Sequence, residues 1–351
     1  MMNDSCPEDE TTCRFDGSVL LYVLPPVLFV ECLLATLGNG IALWIFCFHL
    51  KPWKTSTVFL FNLALADFLL SIILPFRTSY YVRGKDWIFG DVFCRISLFM
   101  LAMNRGGSIL FLTAVAVDRY FRVVHPHHPV NSMSIAKAAC FACALWALAI
   151  AMTVYLLTMP HHFCFENATH CESFTTITHH GSDSVWHEAL YFLEFVVPLA
   201  VTLYCSLQII CQLKGRQVGK HSKIRRAVYF VGAVVMVFVI CFLPSNVTRL
   251  VIWAKKAHHI EHCDSYKSLD DAFFITVSLT YLNSVLDPVV YYFSSPTFKR
   301  IYRAAVKGSL HRQDKEHEEP GVEKMVKQSE DWTTESNQPA QSTQTTNNTL
   351  W

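Results

Sequence analysis

Between residues 20 and 294, long apolar runs alternate with short polar ones. Seven runs reach the roughly 20 residues that an α-helix needs to cross a bilayer. They fall at about 20–48, 55–81, 91–124, 135–157, 187–213, 222–254 and 270–294. Helices of a water-soluble bundle would each keep a polar face. Backbone groups within hydrocarbon must be satisfied inside the segment, so helices are the plausible spanning form. The pattern therefore predicts an all-α, seven-transmembrane-helix bundle over 20–294, preceded by a polar N-terminal segment, 1–19. Residues 295–308 set Phe298, Ile301 and Tyr302 against basic positions, which predicts a short amphipathic helix lying on the membrane surface. Residues 309–351 are polar and rich in Glu, Ser, Thr and Gln, which predicts a disordered tail.

Composition agrees with the pattern. Of 351 residues, 52% are hydrophobic and 16% charged, where a soluble domain carries about 25% charged. The net charge of +1 carries no information about partners, and no nucleic-acid partner is expected. The acidic stretch from Asp4 to Asp16 argues against a cleaved signal peptide.

Lys and Arg next to the spans set the expected orientation. Lys51, Lys54, Arg119, Arg122, Lys214, Arg216, Lys220, Lys223, Arg225, Arg226, Lys299, Arg300, Arg303 and Lys307 fall on one side, expected to be cytoplasmic. The N-terminus is then outside and the tail inside, as in a multi-pass plasma-membrane protein. Arg77, Arg83 and Lys85 depart from this bias on the outer side. Cys6, Cys13, Cys94, Cys164, Cys171 and Cys263 fall in outer segments, where oxidation permits up to three bridges. Asn3 and Asn167 open glycosylation sequons on that side. The histidine clusters lie in loops and read as solvated rather than as zinc ligands.

The third run is the most informative. Cys94, Arg105, Ser108 and Arg119 sit at offsets of 0, 11, 14 and 25, which places them within roughly 60° of one another on a helix. Arg105 lies roughly 16 Å below Cys94. Burial at that depth costs several kcal/mol unless Arg meets a polar cavity or a partner. No Asp or Glu is expected to face it, so an anionic ligand is the favoured partner; guanidinium matches a carboxylate as a planar fork. Arg77 and Arg249 are expected at similar or shallower depth, and three such cations would favour acids over amines. Deeper, Asp67, Ser108, Asn283 and Asp287 form an oxygen-rich set that suits either a hard cation such as sodium or a water network. No cofactor is otherwise expected, and no nucleophile–base arrangement, phosphate loop or metalloprotease motif is present, so no enzyme is expected.

Each run carries a different short motif or marker residue: Gly38-Asn39, Leu63 to Asp67, Asp118-Arg119-Tyr120, Trp146, Pro198, Cys241 to Pro244, and Asp287-Pro288 to Tyr291. The ordered set resembles the rhodopsin-like, G-protein-coupled receptors. The resemblance implies a switch at Asp118, Arg119 and Tyr120, with Phe242, Pro244, Asp287, Pro288 and Tyr291 carrying its movement. Phe242 stands where the family commonly has Trp, and Asp287 where it commonly has Asn. Leu101 to Arg105, Asp118 to His128, and Tyr281 to Pro288 with Phe293 to Pro296 resemble the hydroxycarboxylic acid receptors more narrowly, over about 19–305.

That resemblance implies a small carboxylate or fatty-acid-derived agonist anchored on Arg105, with Arg77, Arg249, Tyr281, Glu172 and Ser173 as further contacts. It also implies inhibitory G-proteins as partners and a fall in cAMP. An oxoeicosanoid receptor is the alternative within the class, and a transporter of small acids the alternative outside it. Cys94, at the outer tip of the third helix, is expected to bridge Cys171 in the loop before the fifth. Cys6 and Cys13 would then pair with Cys164 and Cys263 in an unassigned order. Thr333, Thr334, Ser336, Ser342, Thr343, Thr345 and Thr346 make the tail a candidate target of receptor kinases and arrestin.

Overall fold

The computed structural model describes residues 12–13, 17–165, 168–172, 176–177, 182–214, 221–257 and 264–306. Seven helices are long and apolar enough to cross a membrane. Helix α1 runs Ser18–Trp44 and continues as a wide π turn over Ile45–His49. Helices α2 and α3 span Thr55–Val82 and Asp91–Val124, and α4 spans Ile135–Thr153. Helix α5 runs Ser182–Lys214. Helix α6 comprises His221–Val237, a π turn over Phe238–Phe242 and Leu243–Ala257. Helix α7 spans Asp264–Ser294 and α8 Pro296–Val306.

The apolar runs set these limits closely. The main departure is α7, which starts six residues before the expected 270 and buries Tyr266 in the added segment. Helix propensity and tertiary contact extend it past the point where average hydropathy fades. Ser134 caps α4 by accepting the N–H of Lys137.

Chain centre and periphery follow from burial. In α2, 67% of the most apolar stretch is buried, against 17% in α4, so α4 stands at the rim. Large apolar side chains such as Phe29, Leu37, Phe48, Leu193 and Met236 face outward. In water that surface would drive aggregation; in lipid it needs no cover. Helices α1 and α7 touch where Gly38 stands, since a Cβ there would lie 2.8 Å from Pro288. Two apolar clusters fill the bundle. One, at the Arg119 end, joins Ile109, Phe111, Phe238, Phe242, Tyr291 and Phe298. The other, at the Cys94 end, joins Tyr80, Tyr81, Trp87, Leu98 and Tyr281.

Strands were absent from the sequence expectations, yet four short ones form. β2 (His162–Phe165) and β3 (Ala168–Cys171) make an antiparallel hairpin. β1 (Thr12–Cys13) pairs with β4 (Thr176–Ile177). The expected Cys94–Cys171 bridge ties the hairpin to the tip of α3. Cys164 is also disulfide-bonded; the pairing of Cys6, Cys13 and Cys263 lies outside the described residues. So do Asn3, Asn167 and the tail from residue 307. The chain through Tyr302 forms one compact unit.

Candidate functional site

A cavity of about 110 Å³ opens among the helices at the Cys94 end. Arg77 of α2, Arg105 of α3 and Arg249 of α6 all line it, with Tyr81, Tyr191 and Tyr281. The three cations that sequence reasoning singled out therefore meet at one place. The rest of the wall is largely apolar, from Leu24, Leu28, Leu98 and Leu101 to Phe273 and Phe274, with the hydroxyls of Ser278 and Thr280 among them.

One expectation is corrected here. Arg105 does face a carboxylate: its Nη1 donates to Glu194 Oε2 of α5 at 2.9 Å, and both side chains are about 9% exposed. Sequence alone lacks the vertical offset between α3 and α5 that brings the two level. A signal was present, however, since Glu194 is the lone acid in the run from Tyr191 to Pro198, and an acid within a span is a functional candidate by default. Gly106 makes room for it: a Cβ there would lie 2.7 Å from Glu194 Oε1. The pair leaves Arg105 only partly satisfied. Its Nε and Nη2 are buried without a hydrogen-bond partner among the described residues, and each such donor costs about 1–3 kcal/mol.

Tyr191 was also missed by the sequence reading. Its ring lies 3.9 Å from the guanidinium carbon of Arg105 and 4.0 Å from that of Arg249. The ring is attracted to both charges.

Arg77, expected at similar or shallower depth than Arg105, is buried. Its Nη1 donates to the Cys171 carbonyl at 2.8 Å, and its guanidinium carbon stands 5.1 Å from the Tyr80 ring. Glu172 does not line the cavity. It pairs with Lys85 at 3.2 Å and accepts from the Tyr80 hydroxyl at 3.0 Å. Lys85, only 2% exposed, finds there the partner that explains a cation at this end. Ser173 lies outside the described residues. Beside the hairpin, burial and then the charge of Arg95 push the His161 imidazole below its usual range.

Deeper in the bundle, Asp67, Ser108, Asn283 and Asp287 are all fully buried. Asp67 Oδ1 accepts from Asn104 at 3.1 Å, Ser108 at 3.4 Å and Ser284 at 2.8 Å. The Tyr291 hydroxyl lies 3.1 Å from both Asp67 Oδ2 and Asn39 Oδ1. Among the described residues, neither oxygen of Asp287 accepts a hydrogen bond within the geometric limits, and Asn283 Nδ2 donates none; Asp67 and Asn283 are the polar neighbours of Asp287. Asn104 and Ser284 were not anticipated as members. Two neighbouring buried carboxyls without a protein cation suit a small hard cation; among the described residues no cluster of three or more His, Cys, Asp or Glu exists to hold a transition metal.

At the other end, Asp118 accepts two bonds from Arg122, of 2.8 and 3.0 Å, and another from Ser56. Arg119 instead reaches α7, its Nη2 donating to the Ser294 carbonyl at 3.1 Å. Tyr120 pairs with His125 at 3.0 Å. Phe242, fully buried, closes the π turn of α6 just before Pro244 and packs edge-on against Phe238.

The family model of the seven-transmembrane receptors of the rhodopsin family matches residues 38–291. The chain belongs to that family. Among curated relatives, the receptor is 53% identical to hydroxycarboxylic acid receptor 2 of Homo sapiens over 306 residues, 87% of this chain and 83% of that protein. It is 50% identical to hydroxycarboxylic acid receptor 1 of Homo sapiens, over 86% of this chain and 84% of that protein. Oxoeicosanoid receptor 1 of Homo sapiens is 39% identical, over 82% of this chain and 73% of that protein. The receptor is therefore a multi-pass membrane protein that answers a small-molecule agonist through a G-protein, and it is not an enzyme.

Proposed function

We propose that the receptor is activated by a short hydroxycarboxylic acid whose carboxylate sits on the open edge of Arg105. The observation that carries this reading is the pair of unpartnered nitrogens, Nε and Nη2, on a buried guanidinium that lines the cavity. A carboxylate fits that edge as two parallel charge-assisted bonds. Arg249 and Arg77 add positive potential, and the Tyr281 hydroxyl is available beside them. The small cavity favours a short acid over an eicosanoid chain. The curated relatives named for hydroxycarboxylic acids, at 50% identity and above, support the same choice over the more distant oxoeicosanoid receptor. Uptake of acids as a transporter has no supporting observation.

The basic residues near the Arg119 end favour the orientation with that end and the tail in the cytoplasm. Inhibitory G-proteins, with a fall in cAMP, are the expected partners there. The Asp67–Asp287 site is read as an allosteric sodium site, and the tail as the substrate of receptor kinases and the docking segment for arrestin.

The test compares lactate or 3-hydroxybutyrate with its methyl ester, read as suppression of cAMP, in wild type and Arg105→Ala at matched surface level. Charge-assisted bonds contribute about 1.5–3 kcal/mol each, so Arg105→Ala is expected to weaken the acid by about 10- to 100-fold. Arg105→Lys rescues poorly, because an ammonium lacks the planar fork. Equal potency of acid and ester on the wild type, or an undiminished acid response in Arg105→Ala, would end this reading.

A further inference from the structure

Glu31 is a carboxyl that neither the arginines of the acid cavity nor the deep polar network uses. It stands in α1 with 4% of its surface exposed, and its Oε2 has no hydrogen-bond partner among the described residues. None of the ion pairs there includes it. An ionisable side chain inside a span is costly and marks a polar path or a ligand contact by default.

Helix geometry places it at the edge of the acid cavity. Leu24 and Leu28 line that cavity from α1. Glu31 follows them at offsets of seven and three, which keeps it within roughly 60° of both around the helix. It is therefore the next rung of the cavity-lining stripe, about one turn below Leu28. Tyr281, which lines the cavity from α7, lies within electrostatic reach of Glu31. Helix α1 packs on α2 and α7, whereas α3 packs on α2, α4 and α5. Glu31 and Arg105 thus belong to opposite walls.

The two walls offer opposite chemistry. Arg105 of α3 and Arg249 of α6 can only donate hydrogen bonds. On α7, the Ser278 hydroxyl donates to the Ile275 carbonyl at 2.7 Å, and the Thr280 hydroxyl to the Val277 carbonyl at 2.6 Å. Those oxygens are left to accept, and Glu31 adds an unpartnered oxygen on the same side. A hydroxycarboxylic acid carries the complementary pair, a carboxylate that accepts and a hydroxyl that donates.

We propose that Glu31 receives the hydroxyl of the agonist and is the residue that distinguishes a hydroxy acid from the same acid without its hydroxyl. The proposal rests on the reading that Arg105 holds the carboxylate. Because the two groups bind opposite walls, the hydroxyl sits on the chain and not on the carbon next to the carboxylate. A site that bonds a ligand hydroxyl discriminates against the analogue lacking it, since its own polar group is then left buried and unpaired.

The experiment measures cAMP suppression by butyrate, 3-hydroxybutyrate and 4-hydroxybutyrate. It uses full-length wild type, Glu31→Leu, Glu31→Gln and Arg105→Ala at matched surface level. On the wild type, at least one hydroxybutyrate is expected to exceed butyrate in potency by about tenfold. Glu31→Leu removes that advantage and leaves butyrate unchanged. Glu31→Gln, which keeps an acceptor at the same reach, retains most of it. Arg105→Ala weakens all three acids together. If the wild type answers none of the three, or Arg105→Ala leaves all undiminished, the carboxylate reading fails and this proposal with it. With that reading intact, three results overturn the assignment of Glu31 alone. They are no advantage for either hydroxybutyrate on the wild type, an advantage that survives Glu31→Leu, and a loss in Glu31→Leu that is equal for butyrate.

Discussion

Glu194 gives the sharpest prediction, because it is a carboxylate already seated on the arginine that the agonist is proposed to use. It holds Nη1 of Arg105 at 2.9 Å and leaves the opposite edge open. An incoming acid therefore becomes the second anion on one guanidinium. With two carboxylates roughly 6 Å apart and an effective dielectric of about 20, their repulsion is on the order of 3 kcal/mol. Glu194→Gln removes that repulsion while its amide oxygen still accepts from Nη1, so the guanidinium keeps its orientation. The expected result is a gain in acid potency of about one to two decades. The uncharged methyl ester should not gain. The same substitution leaves Arg105 without a counter-charge, and breaking a buried pair costs about 3–5 kcal/mol, so the unliganded receptor should express less well and recover when cultured with agonist. The assay is cAMP suppression at matched surface level, with acid and ester titrated side by side. Unchanged acid potency in Glu194→Gln, or an equal shift for acid and ester, would refute the reasoning.

Three other outcomes follow from the same geometry. Lys85→Met leaves Glu172 buried without its cation, so the unfolding midpoint should fall by about 6–20 °C, from 3–5 kcal/mol at roughly 2–4 °C each; a midpoint within two degrees of wild type, measured by thiol-reactive dye in detergent, counts against a stabilising Lys85–Glu172 pair. Sodium should lower acid potency in the wild type and lose that effect in Asp67→Asn, which removes a charge from the site facing Asp287; the same salt dependence in both proteins, with potassium as control, counts against a cation there. Truncation before Glu318 should abolish agonist-driven arrestin recruitment while leaving cAMP suppression intact, and recruitment that survives truncation removes the role given to Thr333, Thr334 and Ser336.

The spans were legible because hydrocarbon admits almost nothing but a run of apolar residues with its backbone closed on itself. The convergence of Arg77, Arg105 and Arg249 was legible for a related reason: a cation at depth must turn inward, and inward is one place. What the sequence concealed was level and facing between helices. Glu194 and Arg105 are 89 residues apart, and nothing local states that they meet. Glu172, adjacent to Cys171, seemed delivered to the cavity by the disulfide, yet Lys85 and Tyr80 hold it away. The β2–β3 hairpin was hidden because strands of four residues, among loop histidines, carry no readable alternation. Asn104 was passed over beside Arg105, although one residue of offset, about 100° around the helix, turns it to Asp67.

The bond from Arg77 to the Cys171 carbonyl joins a wall of the acid cavity to the hairpin that the disulfide fastens outside the bundle. A pull on the hairpin is therefore a pull on a cation of the binding cavity. Under the proposed orientation, an antibody fragment that grips β2 and β3 would reposition that arginine without entering among the helices. Acid sensitivity in this receptor is thus open to adjustment from the cell exterior by molecules far too large to compete for the acid's own space.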